Sequence, residues 1–349
     1  MKIIGLRIKQ IRIAAGMSLR ELASKTGNYV TAQAINKYEN GKATPGSDVL
    51  LKISEVLGVS IEYFFQKPET EVRLSTHSFR KRPKAKASML KAINAKVKNH
   101  LEKYFEIENL FPEKRFIQFT MPDDNRRVIE QPDDIEKFAR WLRKDWNIGL
   151  DPIRSLATVL EDRGIKVIMV KESEDIDGFL TRANESIPVI VINANFPTDR
   201  LRFSMAHELG HHLLINSSSI DFEKITNRFA GAFLVPDEMV LMELGKKRRS
   251  LNWKELMLLR VKYGMSVQAW IHRARELKII SENYAASLFR FLRKKNLYDK
   301  ELGKPLSTEI NLRFEFLVIQ AVEERLISIE KGAEMLDVTI KDLRKNMSQ

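Results

Sequence analysis

Two histidines four residues apart constrain the fold of this chain more than any other feature, in the stretch His207-Glu208-Leu209-Gly210-His211. Side chains at positions i and i+4 lie side by side when the backbone between them is an α-helix. Apolar residues around the motif repeat at helical spacing, so we predict a helix over residues 200–215. On this helix both imidazoles project from one face, at a separation that suits two positions of a tetrahedral zinc ion.

The residues beside the histidine pair indicate what a metal there would do. A zinc site with three protein ligands and one open position is catalytic rather than structural. Glu208 is placed to act as the general base that takes a proton from water and passes it to a leaving amine. His212 projects about 100° further around the helix and is not expected to bind the same ion. A third ligand is therefore needed, and a site that binds metal without catalysing is the alternative.

Charge and cysteine content narrow the class of protein. The 349 residues carry 59 Lys and Arg against 46 Asp and Glu, and this net charge of +13 favours an anionic partner such as nucleic acid. There is no cysteine, which excludes disulfides and cysteine-rich zinc modules. No run of about 18 uncharged apolar residues is present, so we expect no membrane span and a cytoplasmic protein.

Residues 1–67 contain the start and stop signals of several short helices. The first ends at Gly16, and Ser18 with Glu21 forms a capping box at the start of the second. A third helix is predicted over residues 31–39, and it ends at Asn40-Gly41, which tolerates left-handed backbone angles. Two further short helices follow, the last over residues 61–65.

Three stretches of this segment resemble the phage-repressor (Cro/C1, XRE-type) helix-turn-helix domain. They are Leu19-Arg20-Glu21-Leu22-Ala23, Ile35-Asn36-Lys37-Tyr38-Glu39-Asn40-Gly41-Lys42 and Leu57-Gly58-Val59-Ser60. The resemblance implies a double-stranded DNA operator as partner, with Thr31, Gln33, Asn36 and Lys37 facing the DNA. Among the predicted contacts, Gln33 and Asn36 could bond to an adenine edge, while Lys37 and Lys42 meet phosphate. Such domains usually read palindromic operators, which implies a homodimer. The alternative is that these residues are merely solvated, or that the domain binds protein.

Residues 68–130 are predicted to form a basic connector. Between Arg73 and Lys103 there are ten Lys or Arg and one Glu, including the cluster Arg80-Lys81-Arg82-Pro83-Lys84. A helix over residues 88–108 is predicted from an apolar stripe formed by Ala92, Ile93, Val97, Leu101 and Tyr104. Two interpretations stay open: a phosphate-contacting arm that strengthens operator binding, or a solvated linker helix.

Residues 131–245 are predicted to form a metal-binding domain with a small sheet. β-Branched residues predict strands over residues 165–170 and 189–193, with 177–179 as a third strand or a turn. The strand over 187–193 comes directly before the histidine helix, and it could pair with an extended substrate by strand addition. A later amphipathic helix, stopped by Pro236, is able to pack against the histidine helix and present one carboxylate.

Four stretches together resemble the ImmA/IrrE metallopeptidase family, whose members regulate transcription by cleaving repressors. They are residues 202–211, Asp177-Gly178-Phe179, Ile190-Val191-Ile192-Asn193 and Thr226-Asn227-Arg228-Phe229-Ala230. The resemblance implies Zn²⁺ as cofactor and Glu223 as the third ligand beside His207 and His211. Thr226 stands where the family has alanine. Asp221 and Glu238 are the fallback ligands.

Residues 246–349 are predicted to be helical. Residues 263–277 and 327–339 each have the outline of a helix-turn-helix, which we interpret as scaffold or as a substrate-recruiting surface rather than as a DNA reader. His272 and Tyr263, with Arg202 from the histidine helix, are candidates for stabilising an oxyanion, although each also suits a structural role.

The predicted fold class is α+β and predominantly α: a five-helix repressor-like domain, a zincin-like peptidase domain with a small sheet, and a helical C-terminal region. The leading hypothesis is a transcriptional regulator that binds DNA and acts as a zinc endopeptidase on a repressor or antitoxin-like protein. Because the two domains are fused, cleavage of its own connector is also conceivable. The alternative is a DNA-binding repressor or antitoxin whose peptidase-like domain is a non-cleaving sensor.

Overall fold

The structure, a computed structural model, describes residues 2–65, 72–75, 87–111, 116–172, 176–297, 303–309 and 311–348. The helices are α1 Lys2–Ala14, α2 Leu19–Lys25, α3 Ala32–Glu39, α4 Ser47–Leu57, α5 Ala87–Glu108, α6 Asp124–Arg127, α7 Pro132–Asp145, α8 Leu156–Glu161, α9 Thr198–Leu213, α10 Phe222–Leu234, α11 Asp237–Leu244, α12 Trp253–Tyr263, α13 Val267–Glu276, α14 Glu282–Lys294, α15 Arg313–Glu323, α16 Ile329–Leu336 and α17 Ile340–Met347. The strands are β1 Val128–Ile129, β2 Lys166–Val170, β3 Gly178–Ala183, β4 Ile187–Asn193 and β5 Ile215–Asn216, and a 3-10 helix spans Ile61–Phe64. The predicted fold class is confirmed.

Helices α1 to α4 and the 3-10 helix enclose the core of the N-terminal domain, in which Ile35 of α3 has no exposed surface. Ser18 and Glu21 make both bonds of the predicted capping box, so α2 begins directly after Ser18. A buried ion pair joins α3 to α1, because Arg12 donates to both carboxylate oxygens of Glu39, at 2.6 and 2.8 Å. The orientation of α3 is thus set by packing and by charge.

Helix α5 is not a solvated linker helix, because it is packed on two sides. One side lies on the sheet through Ile93 and Val97, which have no exposed surface. The other side packs on α1, where Arg7 Nη1 donates to the buried Glu102 carboxylate at 2.8 Å. The N-terminal domain is therefore held against the rest of the chain. The predicted basic cluster at residues 80–84 lies outside the described residues. Contact of this basic region with phosphate stays a prediction.

A three-stranded sheet lies between α5 and α9. Its order is β2-β4-β3, with β4 parallel to β2 and antiparallel to β3. Strand side chains alternate, so Val189 and Val191 of β4 face α5 while Ile190 and Ile192 join the core around α9. Because both edges of β4 are already paired, the prediction that this strand receives a substrate is wrong. Strand addition to this sheet requires one of its outer strands.

One large apolar core runs through α7 to α14 and includes Leu213, Phe233, Trp270 and Leu292. It continues past residue 245, where the sequence places a domain boundary. The helix-turn-helix outline at 263–277, which spans the end of α12 and the whole of α13, contributes side chains to this core. Helices α15 and α16 instead pack on α5, where the Phe314 and Tyr104 rings stack with centroids 5.4 Å apart. No helix in the described part of the chain is long and apolar enough to cross a membrane.

Candidate metal centre

Helix α9 carries both histidines of the motif. It spans Thr198–Leu213, two residues earlier at each end than predicted. Met205 and Leu209, on the inner side of the helix, have no exposed surface. His207 and His211 lie on another face and are half-buried. Their Nε2 atoms are 2.9 Å apart, and their rings are nearly perpendicular, at 85°. Both nitrogens therefore point toward the same position in space.

Helix α10 brings a carboxylate to this position. Asp221 caps its N-terminus by accepting hydrogen bonds from the backbone of the first turn, where Glu223 lies. The two carboxylate oxygens of Glu223 lie 3.3 Å from His207 Nε2 and 3.5 Å from His211 Nε2. Within the described ranges, these three side chains form a cluster whose ligand atoms could hold one metal ion.

The close contact of α9 with α10 depends on Gly210. A Cβ at this residue would lie 2.9 Å from Phe229 Cδ1 and 3.4 Å from Thr226 Cβ. Carbon atoms pack at about 3.5–4.0 Å, so a larger residue would separate the helices. Thr226 is fully buried, and its hydroxyl lies 3.5 Å from His211 Nε2. The threonine that stands where the family has alanine therefore adds a polar group beside a candidate ligand.

The two imidazoles and the Glu223 carboxylate fit a zinc ion. Ligand atoms about 2.0–2.1 Å from a tetrahedral zinc lie about 3.3 Å from one another. Here the two Nε2 atoms are 2.9 Å apart, and each lies 3.3 or 3.5 Å from one oxygen of the carboxylate. Two imidazoles and one carboxylate are also the ligand set of known catalytic zinc sites, which keep a fourth position open. Glu208 is half-buried and follows His207 directly on α9.

A buried charge network holds α10 from its other side. Arg273 of α13 donates to both carboxylate oxygens of Glu136 on α7, each at 2.8 Å. Arg228 of α10 donates to the same carboxylate at 2.9 Å. Burial favours the neutral form of arginine, but the Glu136 partner reverses this effect, and the pKa of Arg273 is raised. The network fixes α10, and with it Glu223, relative to α7 and α13.

The N-terminal domain exposes the residues predicted to meet DNA, which are Thr31, Gln33, Asn36, Lys37 and Lys42. Gln33, Asn36 and Lys37 follow helical spacing on one side of α3, away from the buried Ile35. Thr31 caps α3 by accepting the Ala34 N–H at 3.1 Å. Contact of these residues with DNA stays a prediction.

Two family models match the chain. One is described as helix-turn-helix and covers residues 8–64, and the other is a peptidase family described as the IrrE N-terminal-like domain and covers residues 160–275. The chain fuses a helix-turn-helix domain to an IrrE-like domain. Both resemblances drawn from the sequence are thereby confirmed. The IrrE-like match extends past residue 245, as does the apolar core.

Curated relatives match a short stretch of the chain. The SPbeta prophage-derived HTH-type transcriptional regulator YonR of Bacillus subtilis is 39% identical over 62 residues, which are 18% of this chain and 56% of the relative. An HTH-type transcriptional regulator of Sinorhizobium medicae is 38% identical over 63 residues, 18% of this chain and 44% of the relative. The chain thus spans about half the length of these relatives. Together with the helix-turn-helix match, they support a DNA-binding regulator.

The other acidic candidates of the IrrE-like domain lie outside the metal cluster. Asp221 is engaged as the cap of α10, and Glu238 lies in the first turn of α11. His212 is buried with its ring against Phe119, at a centroid distance of 4.9 Å. Burial lowers the pKa of His212 to about 4, with the charges of Arg182 and Arg127 adding to the effect. His212 is therefore a neutral core residue and lies outside the metal cluster, as expected from its position on the helix.

The three candidates for an oxyanion donor have other partners in the IrrE-like domain. Arg202 donates to the Ile153 carbonyl. Tyr263 donates to Glu243 Oε1 at 2.7 Å, and burial with this carboxylate raises its pKa. The His272 ring packs on another aromatic ring, and burial lowers its pKa to about 4. Their structural roles are evident, and an oxyanion role has no support from these contacts.

Thr226 and Phe222 are neighbours of the metal cluster that sequence reasoning did not connect with it. The Phe222 ring meets the His211 ring edge to face, at 5.1 Å between centroids, and so limits its rotation. Phe222 directly precedes Glu223 on α10 and Thr226 follows it by three residues, and only the packing of α10 on α9 brings them to His211. The sequence signal that could have found Thr226 is its i+3 spacing from Glu223, which places both on neighbouring positions of the helix surface.

Proposed function

We propose that this chain is a DNA-binding transcriptional regulator whose IrrE-like domain is a zinc-dependent endopeptidase that cleaves a regulatory protein of the repressor or antitoxin type. The observation that carries the proposal is the convergence of His207, His211 and Glu223, with ligand atoms 2.9–3.5 Å apart. A cytoplasmic homodimer bound to an operator is part of the proposal.

The chain's own residues have separate roles in this reaction. His207, His211 and Glu223 would hold the ion, and a zinc ion bound there supplies Lewis acidity that polarises water and the scissile carbonyl. Glu208 accepts a proton from the attacking water and delivers it to the leaving amine. The buried inner side of α9 and the packing of α10 hold these groups on rigid elements, which favours precise geometry.

The decisive experiment compares the full-length chain with Glu208→Gln. The substitution keeps the shape of the side chain but removes its ability to accept a proton. We expect both proteins to bind one equivalent of zinc, measured by elemental analysis, while cleavage of an unfolded test protein such as β-casein, or of a cellular repressor, occurs only with the unaltered chain. Cleavage at equal rates by both proteins would exclude Glu208 as the base. Normal regulation by Glu208→Gln, without cleavage by either protein, would favour the non-cleaving sensor.

The DNA-binding part of the proposal has its own test. Gln33 and Asn36 are proposed to bond to base edges, while Lys37 and Lys42 contact phosphate. We expect Asn36→Ala to weaken binding to the operator by about 1–3 kcal/mol and to relax the preference at one base pair. Lys42→Ala should weaken binding to all sequences and reduce the salt dependence instead. Fluorescence anisotropy with operator and random duplexes at several salt concentrations separates these results.

A further inference from the structure

The outer edge of β3 carries an additional strand from the chain's own connector. Residues 72–75 run antiparallel to β3, with Leu74 opposite Ala183. The Ser75 N–H donates to the Arg182 carbonyl at 2.9 Å. The sequence of the connector suggests no strand here, because the segment is short and lies among charged residues.

Further hydrogen bonds extend this pairing at both ends. The Asn184 N–H donates to the Arg73 carbonyl at 2.9 Å, and the Arg73 N–H donates to Asn184 Oδ1 at 3.0 Å. At the other end, Thr181 Oγ1 donates to the Ser75 carbonyl at 3.0 Å. The contact is therefore a specific strand pairing and not a loop that merely passes the sheet.

The side chains of the added strand alternate between two environments. Val72 is buried and Leu74 is half-buried in the apolar cluster between the sheet and α5. Arg73 and Ser75 point to the opposite side, since successive strand residues face opposite ways. What this edge holds is thus an extended segment with apolar residues at positions i and i+2.

Strand β3 packs on α9, the helix that carries His207 and His211. Leu180 of β3 and Leu209 of α9 are both buried in the core on this side of the sheet. Arg200 of α9 also forms an ion pair with Asp177, the residue before β3, at 2.6 Å. A polypeptide seated on the outer edge of β3 therefore lies beside the strand that packs on the helix of the candidate zinc ligands.

We propose that the edge of β3 is the docking surface of the polypeptide substrate, and that residues 72–75 occupy it in cis and compete with that substrate. The proposal rests on the proposed peptidase function. An outer strand accepts an extended peptide through main-chain hydrogen bonds, with pockets for alternate side chains giving specificity. The connector demonstrates that this edge accepts such a segment.

Tethering makes the connector a strong competitor. A segment held by a short linker acts at an effective concentration on the order of a millimolar, so a substrate in trans gains access only when the connector leaves. The substrate class follows from the same geometry. It is an unfolded or extended segment whose alternate apolar side chains can replace Val72 and Leu74.

A reversible disulfide tests the competition. The chain contains no cysteine, so the double variant Leu74→Cys/Ala183→Cys can form a single intramolecular disulfide. The two residues are a non-hydrogen-bonded antiparallel pair, whose Cα atoms lie about 4.5 Å apart, within the span of a disulfide. Oxidation locks the strand on β3 and dithiothreitol releases it, so the same protein serves as its own control.

A second variant opens the edge. Arg73→Pro with Ser75→Pro removes both N–H donors from the strand, and proline does not fit within a paired ladder. All variants are made in the full-length chain with Glu208→Gln, so that the probe is not cut. The probe is a fluorescein-labelled peptide, Glu-Val-Arg-Leu-Ser-Thr, which copies residues 71–76. Circular dichroism and thermal unfolding confirm that each variant is folded.

We expect the proline variant to bind the peptide at least tenfold more tightly than the oxidised disulfide variant, measured by fluorescence anisotropy. Reduction should raise the affinity of the disulfide variant above that of its oxidised form. Equal affinities in all forms, including no binding by any of them, overturn the proposal. If the proline variant does not fold, the oxidised and reduced forms alone decide. Peptide binding is measured without cleavage. A negative result here is therefore distinguishable from a negative result in the Glu208→Gln cleavage experiment.

Discussion

Replacing Gly210 by alanine tests whether the contact between α9 and α10 creates the metal site. The added Cβ would lie 2.9 Å from Phe229 Cδ1. The Phe229 ring has little room to rotate, because the rings of Phe138 and Phe233 lie at 5.8 and 5.6 Å from it. Restoring an ordinary carbon contact therefore requires α10 to move outward by about 0.7 Å.

This movement separates Glu223 from the two histidines. Metal–ligand distances tolerate deviations of only about 0.2 Å, so Glu223 would no longer complete the ligand set without distortion. Loss of such support typically lowers metal affinity about 10- to 100-fold, which is about 1.4–2.8 kcal/mol. The effect on folding is smaller, since an overpacking cost of about 1–3 kcal/mol is opposed by about 1 kcal/mol of helix propensity gained by alanine over glycine.

Zinc affinity is measured in the full-length chain by competition with a chromophoric chelator, and stability by urea unfolding of the metal-free protein. Gly46→Ala is the matched control, because a Cβ at Gly46 meets no atom within 4 Å. If Gly210→Ala binds zinc as tightly as Gly46→Ala does, the helix contact does not position Glu223 and the reasoning is refuted.

Three further predictions concern buried ionisable side chains. Arg273→Met should destabilise the chain by about 3 kcal/mol, because it leaves the buried Glu136 with less compensation; a change under about 1 kcal/mol in urea unfolding would contradict this. Arg7→Met should likewise remove the ion pair with Glu102 and so speed backbone hydrogen exchange in α1 and α5, while α9 stays protected. Unchanged exchange in α1 and α5 would argue against this ion pair as the contact that holds the N-terminal domain. His212 has a pKa lowered to about 4, below its usual 6.5, so the native state loses stability as the pH falls from about 6.5 toward 4. His212→Phe should remove up to about 3 kcal/mol of that loss. If the free energies of unfolding of the two proteins, measured with a metal chelator present, fall equally with pH, the prediction is refuted.

Local patterns in the sequence were sufficient for elements whose geometry is set within one helix turn or one strand. The helix of His207 and His211 follows from spacing alone, since residues four apart in a helix are neighbours whatever surrounds them. The capping box at Ser18 and Glu21 is equally local, and both of its bonds are present. Runs of β-branched residues likewise predicted the strands but not their order.

The packing of distant segments decided the rest. An apolar stripe on α5 could not reveal that its other side packs on α1 through Arg7 and Glu102, because a buried ion pair 95 residues apart leaves no periodic signal. The central place of β4, which excludes it as a docking strand, depends on pairing partners that periodicity does not specify.

The sequence by itself determined that the two histidines lie on one face of a helix, that Glu208 is adjacent to them, and where the short helices of the N-terminal domain begin and end. Glu223 was reached only through resemblance to a family, since nothing local relates it to a helix that ends ten residues earlier. Tertiary structure decided that its carboxylate meets both imidazoles, and that residues 72–75 lie on the edge of β3. The physical reason is the same in both cases. Hydrogen bonds and side-chain spacing within one element are local, whereas the approach of two elements depends on what packs between them. For α9 and α10, that approach depends on the missing Cβ of Gly210.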